Sequence, residues 1–112
     1  MGNKTDSSQS IGQKPVFHIA LREGFYEDEI QVEHNGQIVY QKNKVTSDVR
    51  IGLADSFEIP QQEGPDILYF MIPEKGIKQR ITFQFSFTVY MAVSYIDDEL
   101  RLTVSDAPFG YM

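Results

Sequence analysis

The chain has 112 residues, ten Lys and Arg against sixteen Asp and Glu for a formal net charge of −6, and 41% hydrophobic residues with 8 Phe and 6 Tyr. That length allows one domain, and such a share of large apolar groups belongs to a globular chain that can fold without staples. With no Cys there is no disulfide, thiolate metal site or Cys nucleophile, and the shortage of Lys and Arg argues against DNA or RNA as a partner.

Residues 1–14, "MGNKTDSSQSIGQK", are polar and lack periodicity. They are expected to form a disordered tail ahead of a single domain over residues 15–112. The stretch has no apolar core of a secretory signal, and Asp6 stands where N-myristoylation requires Ser or Thr. The expected location is therefore the cytoplasm.

From Pro15 onward, two-residue alternation of apolar and polar positions dominates. Strands are expected over 16–22 ("VFHIALR") and, flanking Asn35-Gly36, over 29–34 and 37–42. Asn-Gly accepts the positive φ angles of a type I′ hairpin turn. A weaker strand, "RIGLADSFEI" (50–59), runs into Pro60, and "ILYFMI" (67–72) is stopped by "PEKG". Further along, "QRITFQF" (79–85), "VYMAVSYI" (89–96) and "ELRLTV" (99–104) complete the set. Every odd position from Ile81 to Tyr95 is apolar, which read literally is one strand far longer than the usual five or six residues. A break near Ser86–Thr88 is the preferred reading, although no Gly, Pro or Asn marks it. This uncharged run is too short and too strictly alternating to be a membrane helix. The expected fold is all-β, an antiparallel β-sandwich of seven or eight strands.

Two acidic trios invite a chemical reading: Glu27-Asp28-Glu29, after Phe25-Tyr26, and Asp97-Asp98-Glu99, after Tyr95-Ile96. A two-residue turn at Asp97-Asp98 sets Val93 opposite Leu102, Tyr95 opposite Leu100 and Ser94 opposite Arg101. Large apolar groups then share one face, as a half-buried hairpin needs, so a turn is sufficient reason for the pair. If the strands alternate up and down, however, the connections 23–28, 43–50, 74–78 and 97–98 meet at one end. Asp28, Asp97 and Asp98 become candidate calcium ligands there. The spacing of a dedicated calcium loop is missing, and Lys75 and Lys78 arrive at the same end.

Ideal pairing about Asn35-Gly36 places Ile38 and Tyr40 on the face of Glu33 and Gln31. Either a bulge shifts the register, or Ile38 and Tyr40 form an exposed strip that meets a partner. In the C-terminal "SDAPFGYM", Phe109 and Tyr111 either tie the end down or dock a partner; Phe25 and Tyr26 pose the same choice. His18 has the setting of a structural residue, and His34, just before the turn, is expected to be exposed. The two show no H-x-x-x-H spacing, and no nucleotide-binding or nucleophile-elbow motif is present. The functional expectation is a non-catalytic binding or protein-interaction module whose partner is a protein or a second copy of the chain. The alternative is a calcium-dependent module using the acidic loops, with calcium as its one cofactor.

Overall fold

The computed structural model describes residues 14–84 and 87–109. Among these residues eight strands form: β1 (Val16–Leu21), β2 (Asp28–His34), β3 (Gln37–Val45), β4 (Asp55–Pro60), β5 (Asp66–Ile72), β6 (Ile77–Phe83), β7 (Val89–Ile96) and β8 (Glu99–Ser105). They make two four-stranded sheets, β4-β1-β7-β8 and β3-β2-β5-β6, packed as a sandwich. All neighbouring strands are antiparallel except β1 and β7, which pair in parallel from Phe17–Val89 to Leu21–Val93.

The alternation seen in sequence is the alternation of burial. Phe17, Ile19 and Leu21 of β1 and Val89, Met91 and Val93 of β7 face inward against Ile30, Val32, Leu68, Phe70 and Ile72 of the other sheet. Removing one of the large rings, as in Phe17→Ala, would cost about 3–5 kcal/mol in transfer and cavity terms. The run from Ile81 to Tyr95 is two strands in different sheets, β6 ending at Phe83 and β7 beginning at Val89. Parity survives the crossing because both strands turn the same set of positions toward one shared core.

Two register details correct the simple reading. Residues 50–54 are not strand; they belong to a turn, and β4 starts only at Asp55. In the β2–β3 hairpin Glu33 pairs with Ile38 but Val32 pairs with Tyr40, so a bulge takes up one residue. Asn35 and Gly36 both have positive φ, as the sequence required of them. The β7–β8 hairpin has the expected register, Val93 to Leu102 and Tyr95 to Leu100, with Asp97 and Asp98 both at positive φ. Residues 1–13, which hold all but the last residue of the expected tail, lie outside the described residues, as does Tyr111.

Candidate functional site

The connections 22–27, 46–54, 73–76 and 97–98 emerge at one end of the sandwich. Their backbones are knitted together. Tyr95 donates its N–H to the Glu23 carbonyl at 2.8 Å, Ser47 donates to the Phe25 carbonyl at 2.9 Å, and Ala54 donates to the Leu21 carbonyl at 2.7 Å. Side chains add to this: the Phe25 N–H donates to Ser47 Oγ at 3.0 Å, and the Glu27 N–H to Thr46 Oγ1 at 2.9 Å. Gly24 has φ +92°, and a Cβ there would sit 1.7 Å from the Tyr95 carbonyl oxygen. Only glycine lets the first loop lie this close to β7.

The 46–54 loop closes on itself. Asp48 and Leu53 bridge across a turn, and the N–H groups of Ile51 and Gly52 donate to the Asp48 carbonyl. The Asp48 carboxylate accepts from the Arg50 N–H at 3.0 Å and from its guanidinium at 3.0 and 3.2 Å. That guanidinium holds the carboxyl below its usual range. The result is an ordered loop that presents apolar groups to solvent: Val49 is 93% exposed and Ile51 42%, and on the neighbouring loop Tyr26 is 73% exposed. Phe25, its neighbour in sequence, plugs the core at 3% exposure.

The acidic residues reach this same end but do not converge on a common point. Asp28 is buried. One of its oxygens takes the Lys75 ammonium and the other accepts the Tyr26 N–H at 3.0 Å. Its hydrogen bond to Asp28 raises the Lys75 pKa above the ordinary value, and the same ammonium lies 4.9 Å above the Tyr95 ring. Asp97 pairs with Arg101 at 3.2 Å, and Asp98 accepts from the Tyr95 hydroxyl at 3.4 Å. Among the described residues, no three His, Asp or Glu side chains are arranged to hold a metal ion. At Asp28 the ammonium stands where a bound cation would have to be.

The remaining candidate residues lie elsewhere. Ile38 is 47% exposed and Val39, the residue at the bulge, 41%. Tyr40 does not join them in an exposed strip: the bulge turns it inward, where it stacks on Phe57 at 4.0 Å and donates its hydroxyl to Asp55 at 2.7 Å. Burial, then the Asp55 hydrogen bond, push the Tyr40 hydroxyl well above its usual pKa. Phe109 is half-buried on the outer face of the β4-β1-β7-β8 sheet. It separates a depression of about 350 Å³ beside His18, Ala20 and Glu58 from a second one beside Ala92 and Ser94.

His18 is held on three sides: Nδ1 lies 2.8 Å from Glu58, one ring face stacks on Tyr90 at 4.6 Å, and the backbone is in β1. No hydroxyl is hydrogen-bonded to this ring among the described residues. His34, expected in solvent, is instead buried with its Nε2 2.7 Å from Asp66, a carboxylate that also accepts the Gln62 N–H.

No protein-family model and no curated protein matches this chain.

Sequence reasoning missed Val49 and Ile51. Val49, Ile51 and Leu53 alternate as a strand does, and only the turn formed at Asp48 and Gly52 takes them out of the sheet. The signal available was Gly52 itself, two residues after a charged pair at 48 and 50.

Proposed function

We propose that this chain is a non-catalytic protein-interaction module that engages its partner through the loop end. The observation that carries the reading is an ordered pair of joined loops holding Tyr26, Val49 and Ile51 in solvent. Scattered exposed apolar residues need no explanation, but three of them on two joined loops whose backbone is already fixed are a different matter. Each such side chain gains about 1.5–3 kcal/mol on full burial. A loop fixed beforehand loses little conformational entropy on docking, so more of that gain becomes affinity.

The surroundings indicate the partner's chemistry. Glu23, Glu27, Asp97 and Asp98 are exposed around this end, which suits an apolar recess with a rim of Lys and Arg. The His18–Glu58–Tyr90 cluster supports the non-catalytic part of the proposal. In it Glu58 pairs with His18 Nδ1 and Tyr90 stacks on the imidazole ring, in the manner of a structural cluster.

Differential capture tests the proposal. Wild-type chain and a Tyr26→Ser/Val49→Asp variant are immobilised and exposed to extract of the cells that make the protein. Both positions are exposed, so the variant's melt should match wild type. At least one protein should be retained by wild type and reduced about tenfold or more by the variant, the loss of about 1.4 kcal/mol. If no protein distinguishes the two baits, the loop end is not a docking site.

A further inference from the structure

We infer that the outer face of the β3-β2-β5-β6 sheet is a self-complementary surface that pairs two copies of the chain about a two-fold axis running along β5. The register supplies the argument. Across this face Glu33 of β2, Tyr69 of β5 and Arg80 of β6 form one row, with Ile38 of β3 at its outer end. The next row runs Gln41, Gln31, Met71, Lys78. An acidic strand and a basic strand thus flank a central strand whose outward residues include Tyr69 and Met71. Both of these are half-buried within the single chain.

Glu33 and Arg80 have no ion pair or side-chain hydrogen bond among the described residues. Their neighbours do: Gln31 and Gln41 both donate to Glu29, and the Lys78 ammonium lies 4.8 Å over the Tyr69 ring. So one unpaired carboxylate and one unpaired guanidinium stand on opposite sides of an aromatic residue, two strands apart.

A two-fold axis in the plane of the interface and parallel to β5 exchanges left and right across the sheet. It sets Glu33 of each copy against Arg80 of the other, twice, and brings Tyr69 and Met71 of both copies together at the axis. Such an interface is isologous and closes on itself. Strands of the facing sheets stay aligned apart from the angle their twist imposes, as in ordinary sheet-on-sheet packing. The net charge of −6 on each copy opposes association. That repulsion is screened beyond about 8 Å at physiological salt, while the paired groups meet well inside this distance.

The β3 edge of the same sheet does not offer an alternative route to a second copy. On β3 the bulge at Val39 and the charges of Lys42 and Lys44 blunt the free edge against strand addition.

Sedimentation velocity at physiological salt, from micromolar to millimolar chain, reads the outcome. Wild type should pass from monomer to dimer with concentration. Glu33→Arg and Arg80→Glu, each alone, place like charges in contact twice and should weaken the association about a hundredfold or more. Mixing the two single variants is decisive, because one copy then carries Arg at 33 and 80 and the other Glu at both. Both cross-contacts become complementary, and a mixed dimer should form near wild-type strength. A chain that stays monomeric at millimolar concentration overturns the inference. Single variants that associate like wild type, or a mixture no better than its components, do so equally. The loop-end residues play no part here, so the Tyr26→Ser/Val49→Asp variant should dimerise normally.

Discussion

Tyr40 shows how a single residue's environment can be displaced by one extra residue elsewhere in its strand. Without the bulge its phenol would point to solvent beside Gln31; with it, the ring joins the core and the hydroxyl serves Asp55. Burial pushes the Asp55 carboxyl up, but hydrogen bonds from Tyr40 and Ser56 and the charge of Lys42 outweigh it, leaving the carboxyl below its usual range. Tyr40 holds its proton more tightly folded than unfolded. Its contribution is therefore complete below about pH 10, the ordinary phenol value, and is lost as pH rises toward the folded value. Tyr40→Phe should cost about 1 kcal/mol near neutrality. Urea denaturation at alkaline pH should show its stability falling less steeply with pH than that of wild type, by up to one proton. An unchanged alkaline slope would mean that the hydroxyl is not protected. His34 teaches a similar lesson. It has the parity of Ile30 and Val32, which was visible in the sequence, whereas its partner Asp66 lies 32 residues away and was not.

At the scale of the element, what could be read was what is local. Both hairpin turns, Asn35-Gly36 and Asp97-Asp98, carry their own conformational signal, and the register of β7 against β8 followed from where the large apolar groups must sit. The parallel pairing of β1 with β7 could not be read, since it joins segments some seventy residues apart with no turn between them to set the register. Nor could the end of β6 be fixed, because the alternation carries on into β7. The turn reading of Asp97-Asp98 makes a prediction of its own. Asp98 has φ 64°, a left-handed conformation that costs a residue with a Cβ more than glycine. Asp98→Gly should raise stability by up to about 1 kcal/mol, and each kcal/mol moves the melting temperature of a domain this size by about 4–8 °C. The gain should be the same in millimolar calcium and in excess chelator. A wild-type melt that rises in calcium, with the rise abolished by Asp98→Gly, would instead identify the acidic loops as a metal site.

For the whole molecule, the sandwich separates two jobs. Its sheets supply a core from inward-facing positions of all eight strands, with Phe25 added from the first loop, and the rest of the loop end is then free to carry groups that no core requires. Periodicity finds the first kind of residue and is blind to the second, since it assigns every apolar side chain to the interior. Val49 was hidden for that reason: its exposure depends on a turn held by Asp48, Arg50 and Gly52 rather than on its own character. At the opposite end Asn35 donates its side-chain amide to Gln62 and to the Pro65 carbonyl, and this end serves as the comparison. The most direct measurement is photo-crosslinking in the cells that make the protein, with a photoreactive amino acid in place of Val49 in one chain and of Glu63, at the opposite end, in another. Adducts to a distinct protein from position 49 that are absent from position 63 are the expected result. No adduct from position 49, or the same adducts from both positions, would contradict a docking function at the loop end.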